Sequence, residues 1–367
     1  MELFSYPLNL ATILQVVLLG FIGGTLSGFI GSGGAFFMTP GMMNLGVPGV
    51  IAVGSNITHK FGKALVGSRR HGEMGNVDKK MGAFMLITAA VGIRLAVWIN
   101  SALISNATAG NAARKGAATD LYISVVFTSI LSVVAISMLR DILGSSKSDS
   151  AGPSQQISAY LSRLRLFPMI HFPVSDVKVS LWVVLTVGLF TGYLAGTIGV
   201  GGFIGVPAMI YVFGMPTAVA TGTELYLAMF MGGWGALNYV FEGMVDIRLT
   251  MLLFLGSLIG VNIGAYGTKV VKEVMIRLVT SLIILLCVLS RAIAMPMYLR
   301  QLGWVQFNPA LDSYFNGASK ILLFVSGITG ALVILFYVFR AYIDRRRVYA
   351  TIVVEPEAKA SAQAGGA

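Results

Sequence analysis

Nine long apolar runs, separated by short polar stretches, set the frame of this chain. They lie at roughly 8–31, 49–68, 81–104, 120–140, 179–199, 217–240, 249–268, 274–294 and 320–341. About 20 apolar residues are needed to cross hydrocarbon as helix, so each run predicts a membrane-spanning helix. Two shorter apolar segments, about 35–47 and 203–214, each follow a cluster of glycines. The first cluster is Gly28-Phe29-Ile30-Gly31-Ser32-Gly33-Gly34, and the second is Gly196-Thr197-Ile198-Gly199-Val200-Gly201-Gly202. Each short segment holds one proline (Pro40, Pro207) and is followed by another (Pro48, Pro216). Thirteen residues extend at most roughly 20 Å as helix. The pattern therefore predicts half-helices, re-entrant segments or short crossings.

The two clusters belong to a longer correspondence. At a constant offset of 168 (Gly188 against Gly20), Gly20, Gly24, Leu26, Gly28, Ile30, Gly31, Gly33 and Gly34 match Gly188, Gly192, Leu194, Gly196, Ile198, Gly199, Gly201 and Gly202. The register continues through Gly46, Pro48, Ala52 and Gly54 against Gly214, Pro216, Ala220 and Gly222. It reaches Gly75-Asn76-Val77-Asp78 against Gly243-Met244-Val245-Asp246. Such a register implies an internal duplication. The organisation it predicts is a first transmembrane repeat at 1–141, a cytoplasmic linker at 142–178 and a second repeat at 179–294. A loop with a final span at 295–343 and a cytoplasmic tail at 344–367, expected to lack regular structure after Tyr349, would follow. Within the linker, Ile157–Leu166 could form a basic amphipathic helix or an ordinary solvated strand of chain.

Composition makes the membrane assignment firm. The chain of 367 residues is 56% hydrophobic and only 11% charged, with a mean hydropathy of +0.81; soluble domains carry about 25% charged residues. The net charge of +11 predicts basic cytoplasmic loops rather than nucleic-acid binding. Met1-Glu2-Leu3-Phe4 lacks the basic start of a cleaved leader, so the first apolar run is expected to remain. Arg69, Arg70, Lys79 and Lys80 place the 69–80 loop inside, as do the linker and Arg345–Arg347 at the end. The equivalent 241–248 loop is less basic and could face outward. Five crossings per half plus one final span satisfy these charges and make the repeats inverted. The fold class predicted is thus an all-α polytopic membrane protein of two inverted repeats with glycine-broken helices and one C-terminal span.

Chemistry is concentrated after the breaks. The second half of a broken helix presents backbone N–H groups and a positive dipole end, which attract anions, and paired breaks point to a transporter substrate site. Gly31, Gly33, Gly34, Gly199, Gly201 and Gly202 are the ligand-facing candidates, while Gly20, Gly24 and Gly28 have the spacing of helix packing. In Ser55-Asn56-Ile57-Thr58-His59-Lys60-Phe61-Gly62-Lys63, the residues Asn56, His59, Lys60 and Lys63 share one helical face. Glu224 occupies the repeat position of Asn56, next to Thr223. Three roles compete here: anion binding by a lysine, a structural ion pair of Glu224 with Lys60 or His59, and snorkelling of the lysines. Lys63, six residues before Arg69, fits snorkelling best, and Glu224 is a proton carrier if transport is proton-coupled. Arg94, mid-span, needs a partner or a wet cavity. The chain has three histidines and one cysteine, without a His-Glu-x-x-His motif or a serine elbow, so no enzyme and no cofactor or metal is expected.

The Gly-x-Gly-Gly breaks at Gly31–Gly34 and Gly199–Gly202 resemble the TauE/SafE sulfite-exporter family of permeases. So do Pro40 and Pro207, Gly54-Ser55-Asn56 and Gly222-Thr223-Glu224, and the Gly-x-Val-Asp loops. The resemblance covers most of 10–292; the linker, the insertion near 100–119, the final span and the His59-Lys60 region depart from the compact pattern. It implies movement of a small sulfur-containing anion, such as sulfite or a sulfonate, across a prokaryotic plasma membrane. Asn56, His59, Lys60, Thr223 and Glu224 with the six break glycines would then form the substrate site. An anion channel and a membrane-embedded enzyme are the alternatives. Proton or ion coupling and self-association stay open.

Overall fold

The structure, a computed structural model, describes residues 8–30, 34–106, 112–144, 167–199, 201–271 and 273–364. Its first part holds α1 (Leu10–Ile30), α2 (Ala35–Asn44), α3 (Gly49–Glu73), α4 (Lys79–Asn106) and α5 (Ala112–Gly144). An antiparallel hairpin follows, β1 (Met169–Phe172) and β2 (Val177–Ser180), in which His171 pairs with Lys178. The rest is α6 (Leu181–Ile198), α7 (Gly201–Tyr211), α8 (Thr217–Phe241), α9 (Ile247–Val270), α10 (Glu273–Gln301) and α11 (Leu311–Ala364). Seven of these, α1, α4, α5, α6, α9, α10 and α11, are long and apolar enough to cross a bilayer. This is an all-α, multi-pass membrane protein.

Two long helices, α3 and α8, fall short of that apolarity, and their place in the bundle explains why it is tolerated. They pack on each other and are flanked by α9 and α4. Protein rather than lipid therefore surrounds their polar face, where Asn56, His59 and Glu224 are buried. A polar side chain within a membrane protein is stable when it faces the interior and finds partners there.

The contacts fix the helix directions. Gly20, Gly24 and Gly28 of α1 lie against the backbone at Leu253, Ser257 and Gly264 of α9, so these two run in parallel. Gly188, Gly192 and Gly196 of α6 meet Met85, Ala89 and Ile93 of α4 in the same parallel sense. Along α3 and α8 the order reverses: Ile57 meets Gly235, Phe61 meets Gly232, and Gly67 meets Leu225. The pairs Ala90–Trp234 and Arg94–Asn238 make α4 parallel to α8, and Ser55–Asp246 and His59–Ser257 make α3 parallel to α9. Hence α1, α3 and α9 point one way and α4, α6 and α8 the other. Because α1 and α3 agree in direction, the chain returns across the bundle through α2: Gly34 just before it, and Met38 and Gly41 within it, meet Ser27, Gly23 and Leu19 in descending order. The 69–80 and 241–248 loops consequently sit at opposite ends of α3.

Both Gly-x-Val-Asp loops have the same construction. Gly75 (φ 73°) and Gly243 (φ 68°) adopt the left-handed conformation that glycine takes without a Cβ penalty. The aspartate then caps the next helix: Asp78 Oδ1 accepts from the Met81 N–H at 3.0 Å, and Asp246 Oδ1 from the Arg248 N–H at 2.9 Å. Burial pushes the Asp246 carboxyl up, but the Arg248 side chain and the first α9 N–H groups outweigh it and hold the carboxyl below the usual range.

The hairpin was not legible as such in the polar linker, whose 157–166 segment lies outside the described residues. It docks through Asp78, whose Oδ2 accepts from Ser175 Oγ at 2.8 Å and the Ser175 N–H at 3.2 Å, while Lys80 Nζ donates to His171 O at 2.9 Å. Hydrogen bonds to a buried charged group contribute roughly 1.5–3 kcal/mol. Asp78→Ala should therefore loosen the hairpin, read as faster tryptic cleavage at Lys178 and a lower unfolding midpoint; unchanged cleavage would show that other contacts hold it. At the chain's end the structure also differs from expectation, because α11 runs on as helix past Arg345–Arg347 to Ala364. Glu355, Glu357 and Lys359 make this stretch polar, so a hydropathy reading passes over it. Far from this end, buried Arg291 ties α2, α10 and α11 together by donating to Asn44 Oδ1, to Ser319 Oγ at 3.3 Å and to Tyr298 OH at 3.4 Å.

Candidate functional site

The second break is an ordinary helix stop put to special use. Gly199 takes φ 75° as the left-handed cap of α6, its N–H bonded to Ala195 O at 2.9 Å, and α7 starts at Gly201. Of the first break, Gly31, Ser32 and Gly33 lie outside the described residues. Gly34 precedes α2 and presses on the backbone of Gly23 and Ser27, where a Cβ has no room.

Asn56 joins the two breaks. Its Nδ2 donates to Ala35 O at 3.0 Å and to Thr39 Oγ1 at 2.8 Å, and Thr39 Oγ1 donates to Ile198 O at 3.1 Å. A Cβ on Gly199 would lie 3.0 Å from Asn56 Nδ2. One buried amide on α3 thus holds the start of α2 beside the end of α6. Its own Oδ1 has no hydrogen-bond partner among the described residues.

Next to this junction is a small cavity of about 40 Å³, lined by Ala35 and Gly202 from the first turns of α2 and α7, by His59, Lys60 and Lys63 from α3, and by Glu224 from α8. One water-sized probe occupies roughly 10–15 Å³, so the space suits a few waters or one small ion. Lys60 Nζ is 3.8 Å from Glu224 Oε1. Lys63 Nζ donates to Ser27 Oγ, also in the lining. His59 Nε2 is 2.7 Å from Ser257 Oγ; that hydroxyl donates to Phe254 O at 3.1 Å, which makes the imidazole the donor, and the ring stands edge-on to Phe254.

Glu224 is the unusual member. It is 2% exposed, and neither carboxylate oxygen has a hydrogen bond among the described residues. Gly205 makes room for it, since a Cβ there would lie 2.9 Å from Glu224 Cδ. Gly201 instead allows α7 to approach α6, since an added Cβ would lie 2.7 Å from Ala195 Cβ, while Lys60 Nζ would be in ordinary contact at 3.4 Å. The carboxylate is packed but not satisfied, a costly state for a buried charge.

Of the residues singled out from sequence, His59, Lys60, Glu224 and Gly202 line the cavity, whereas Asn56, Gly199, Gly201 and Gly34 belong to the helix junctions beside it and not to its lining. Thr223 points elsewhere: its Oγ1 accepts from the Asp78 N–H at 2.9 Å and fixes the α3–α4 loop. Lys63 turns inward instead of snorkelling, because Ser27 receives its ammonium. Arg94 finds Asn238 Oδ1 at 3.2 Å and Glu242 Oε1 at 3.4 Å, a half-exposed pairing away from the cavity. Ser27, Gly205 and Ser257 escaped the sequence reading. They are common residues whose role depends on which helices meet.

Comparison with known proteins agrees with this architecture. Residues 16–291 match the family described as sulfite exporter TauE/SafE. The chain is similar to the probable membrane transporter protein YdhB of Bacillus subtilis (strain 168), 24% identical over 269 residues, covering 71% of this chain and 93% of that protein. It is also similar to the probable membrane transporter protein YjnA of the same organism, 26% identical over 255 residues, 69% of this chain and 89% of that one.

Proposed function

The chain belongs to the sulfite exporter TauE/SafE family and is a membrane transporter, and on that premise we propose that it carries a small sulfur oxyanion, sulfite or a sulfonate, by alternating access. The observation that carries this reading is the shared cavity. The first turns of α2 and α7 border it together with Lys60 and Lys63. Helix starts offer N–H donors and a positive dipole end, and ammonium groups give charge-assisted hydrogen bonds to oxyanions. Two ammonium groups against one carboxylate leave one formal positive charge, which suits a monoanionic group.

The transport cycle rests on the duplication. α1 and α6, α3 and α8, and α4 and α9 correspond in sequence, and each runs opposite to its counterpart. The α1–α9 packing and the α6–α4 packing are the same contact with the halves exchanged. These relations support two inverted repeats, 1–141 and 179–294. Rocking of one repeat on the other would expose the cavity to each side in turn.

Purified protein in liposomes, offered labelled sulfite, methanesulfonate and phosphate, tests this. The expected outcome is saturable flux of the sulfur oxyanions and acceleration by unlabelled anion on the opposite side. Flux that rises linearly with concentration would indicate a channel, and no movement of any small anion would overturn the reading.

A further inference from the structure

We propose that Glu224 carries one proton with each anion, making the transporter a proton–anion symporter; this deepens, and rests on, the anion-site reading above. Three observations on geometry lead there. Glu224 borders the cavity and is buried, yet both oxygens lack a hydrogen bond among the described residues. Its one ion-pair partner among the described residues, Lys60 at 3.8 Å, is also a cavity residue and stands beyond hydrogen-bond distance. Gly205 leaves space at the carboxylate that any side chain would fill.

Among the described residues, the surroundings offer nothing else to balance the carboxylate. α3 presents Lys60, with Lys63 and His59 further along the same wall; α7 presents the backbone of Gly205, and α6 presents Thr191. Asp78, near the neighbouring Thr223, is taken up by Ser175 and Met81. Lys60 is thus shared between Glu224 and an incoming anion. An anion on Lys60 would face the carboxylate across a few ångströms of poorly hydrated space, where like charges repel strongly.

A proton removes that conflict. On the side where the anion enters, Glu224 takes a proton from water and becomes a neutral acid, able to donate to the anion. On the other side the anion leaves, the proton returns to water, and the carboxylate pairs with Lys60 again. The cavity holds one formal positive charge in both the empty and the loaded state, so both can cross with equal electrostatic cost. A monoanion and a proton move together, and the cycle is electroneutral.

Methanesulfonate is the discriminating probe, because a sulfonate stays ionised at all working pH values and brings no proton of its own. In proteoliposomes with acid outside, wild-type protein should accumulate labelled methanesulfonate about tenfold per unit of pH difference, with an internal pH dye recording one proton per anion. Glu224→Gln should bring the accumulation ratio to one. The dye measurement needs no variant, so it decides even if Glu224→Gln fails to fold. Wild-type protein that exchanges the probe across the membrane but shows neither accumulation nor proton entry overturns the proton carrier alone. Wild-type protein that moves neither methanesulfonate nor sulfite overturns the anion site and this inference with it. A Glu224→Gln protein that still accumulates the probe overturns the assignment to Glu224.

Discussion

Gly192→Leu should leave little or no folded protein in the membrane. Gly192 is where α6 rests on α4: a Cβ there would stand 2.6 Å from the Ala89 carbonyl carbon, and on either side Gly188 meets Met85 O at 2.6 Å and Gly196 meets Ala96 Cβ at 2.7 Å. Most of these neighbours are backbone atoms, which cannot rotate away. Overpacking a core commonly costs about 1–3 kcal/mol where side chains can yield; here the helices must separate along their contact, and much of their packing energy goes with it. Helix association in a bilayer depends on such packing rather than on a hydrophobic drive. Gly72→Ala is the matched control, since nothing lies within 4 Å of an added Cβ there, and alanine is the better helix former by roughly 1 kcal/mol. Size-exclusion profiles and thermal midpoints in detergent should separate the two variants sharply. A monodisperse Gly192→Leu protein with a wild-type midpoint would show that α4 and α6 do not depend on this approach.

The same contact shows how the sequence becomes structure. Apolar runs announced the seven lipid-compatible helices, and boundaries moved mainly where helix continues into polar residues, as in α5 and α11. Gly20, Gly24 and Gly28 signalled close packing by their spacing, although nothing in that spacing named α9 as the partner. The His59–Lys63 face was visible as an improbable polar stripe in an apolar run. Which way Lys63 would turn was not visible, because Arg69 close behind it suggested an interface and Ser27 lies on another helix. The ion pair of Lys60 with Glu224 was one of three readings of those residues, and only the antiparallel crossing of α3 and α8 brings the two together. The β1–β2 hairpin, with strands of four residues each, is too short for a hydrophobic pattern to mark it; its docking on Asp78 is a tertiary event. Local pattern thus specifies elements well here, and non-local pairings carry the site.

Lys60→Met should weaken anion binding sharply and destabilise the protein, and the two effects can be separated. Loss of the ammonium removes one of the cavity's two charge-assisted donors, Lys60 and Lys63, expected to weaken sulfite or methanesulfonate binding by about 100-fold, or roughly 3 kcal/mol. It also strands Glu224, which is 2% exposed and whose charge partner among the described residues is Lys60, at 3.8 Å. Breaking one side of a buried ion pair costs about 3–5 kcal/mol, whereas replacing both partners with neutral groups is often close to neutral. The double variant Lys60→Met with Glu224→Gln should therefore regain most of the thermal stability of the wild type while still binding the anion as weakly as Lys60→Met. Thermal shift with and without substrate measures both quantities in one experiment: the midpoint without anion reports the pair, and the anion-induced increase reports binding. If Lys60→Met keeps the anion-induced increase, the anion rests on Lys63 and the helix starts without Lys60. If the double variant stays as unstable as Lys60→Met, the lysine's apolar stem, not its charge, is what the packing of α3 against α7 and α8 requires.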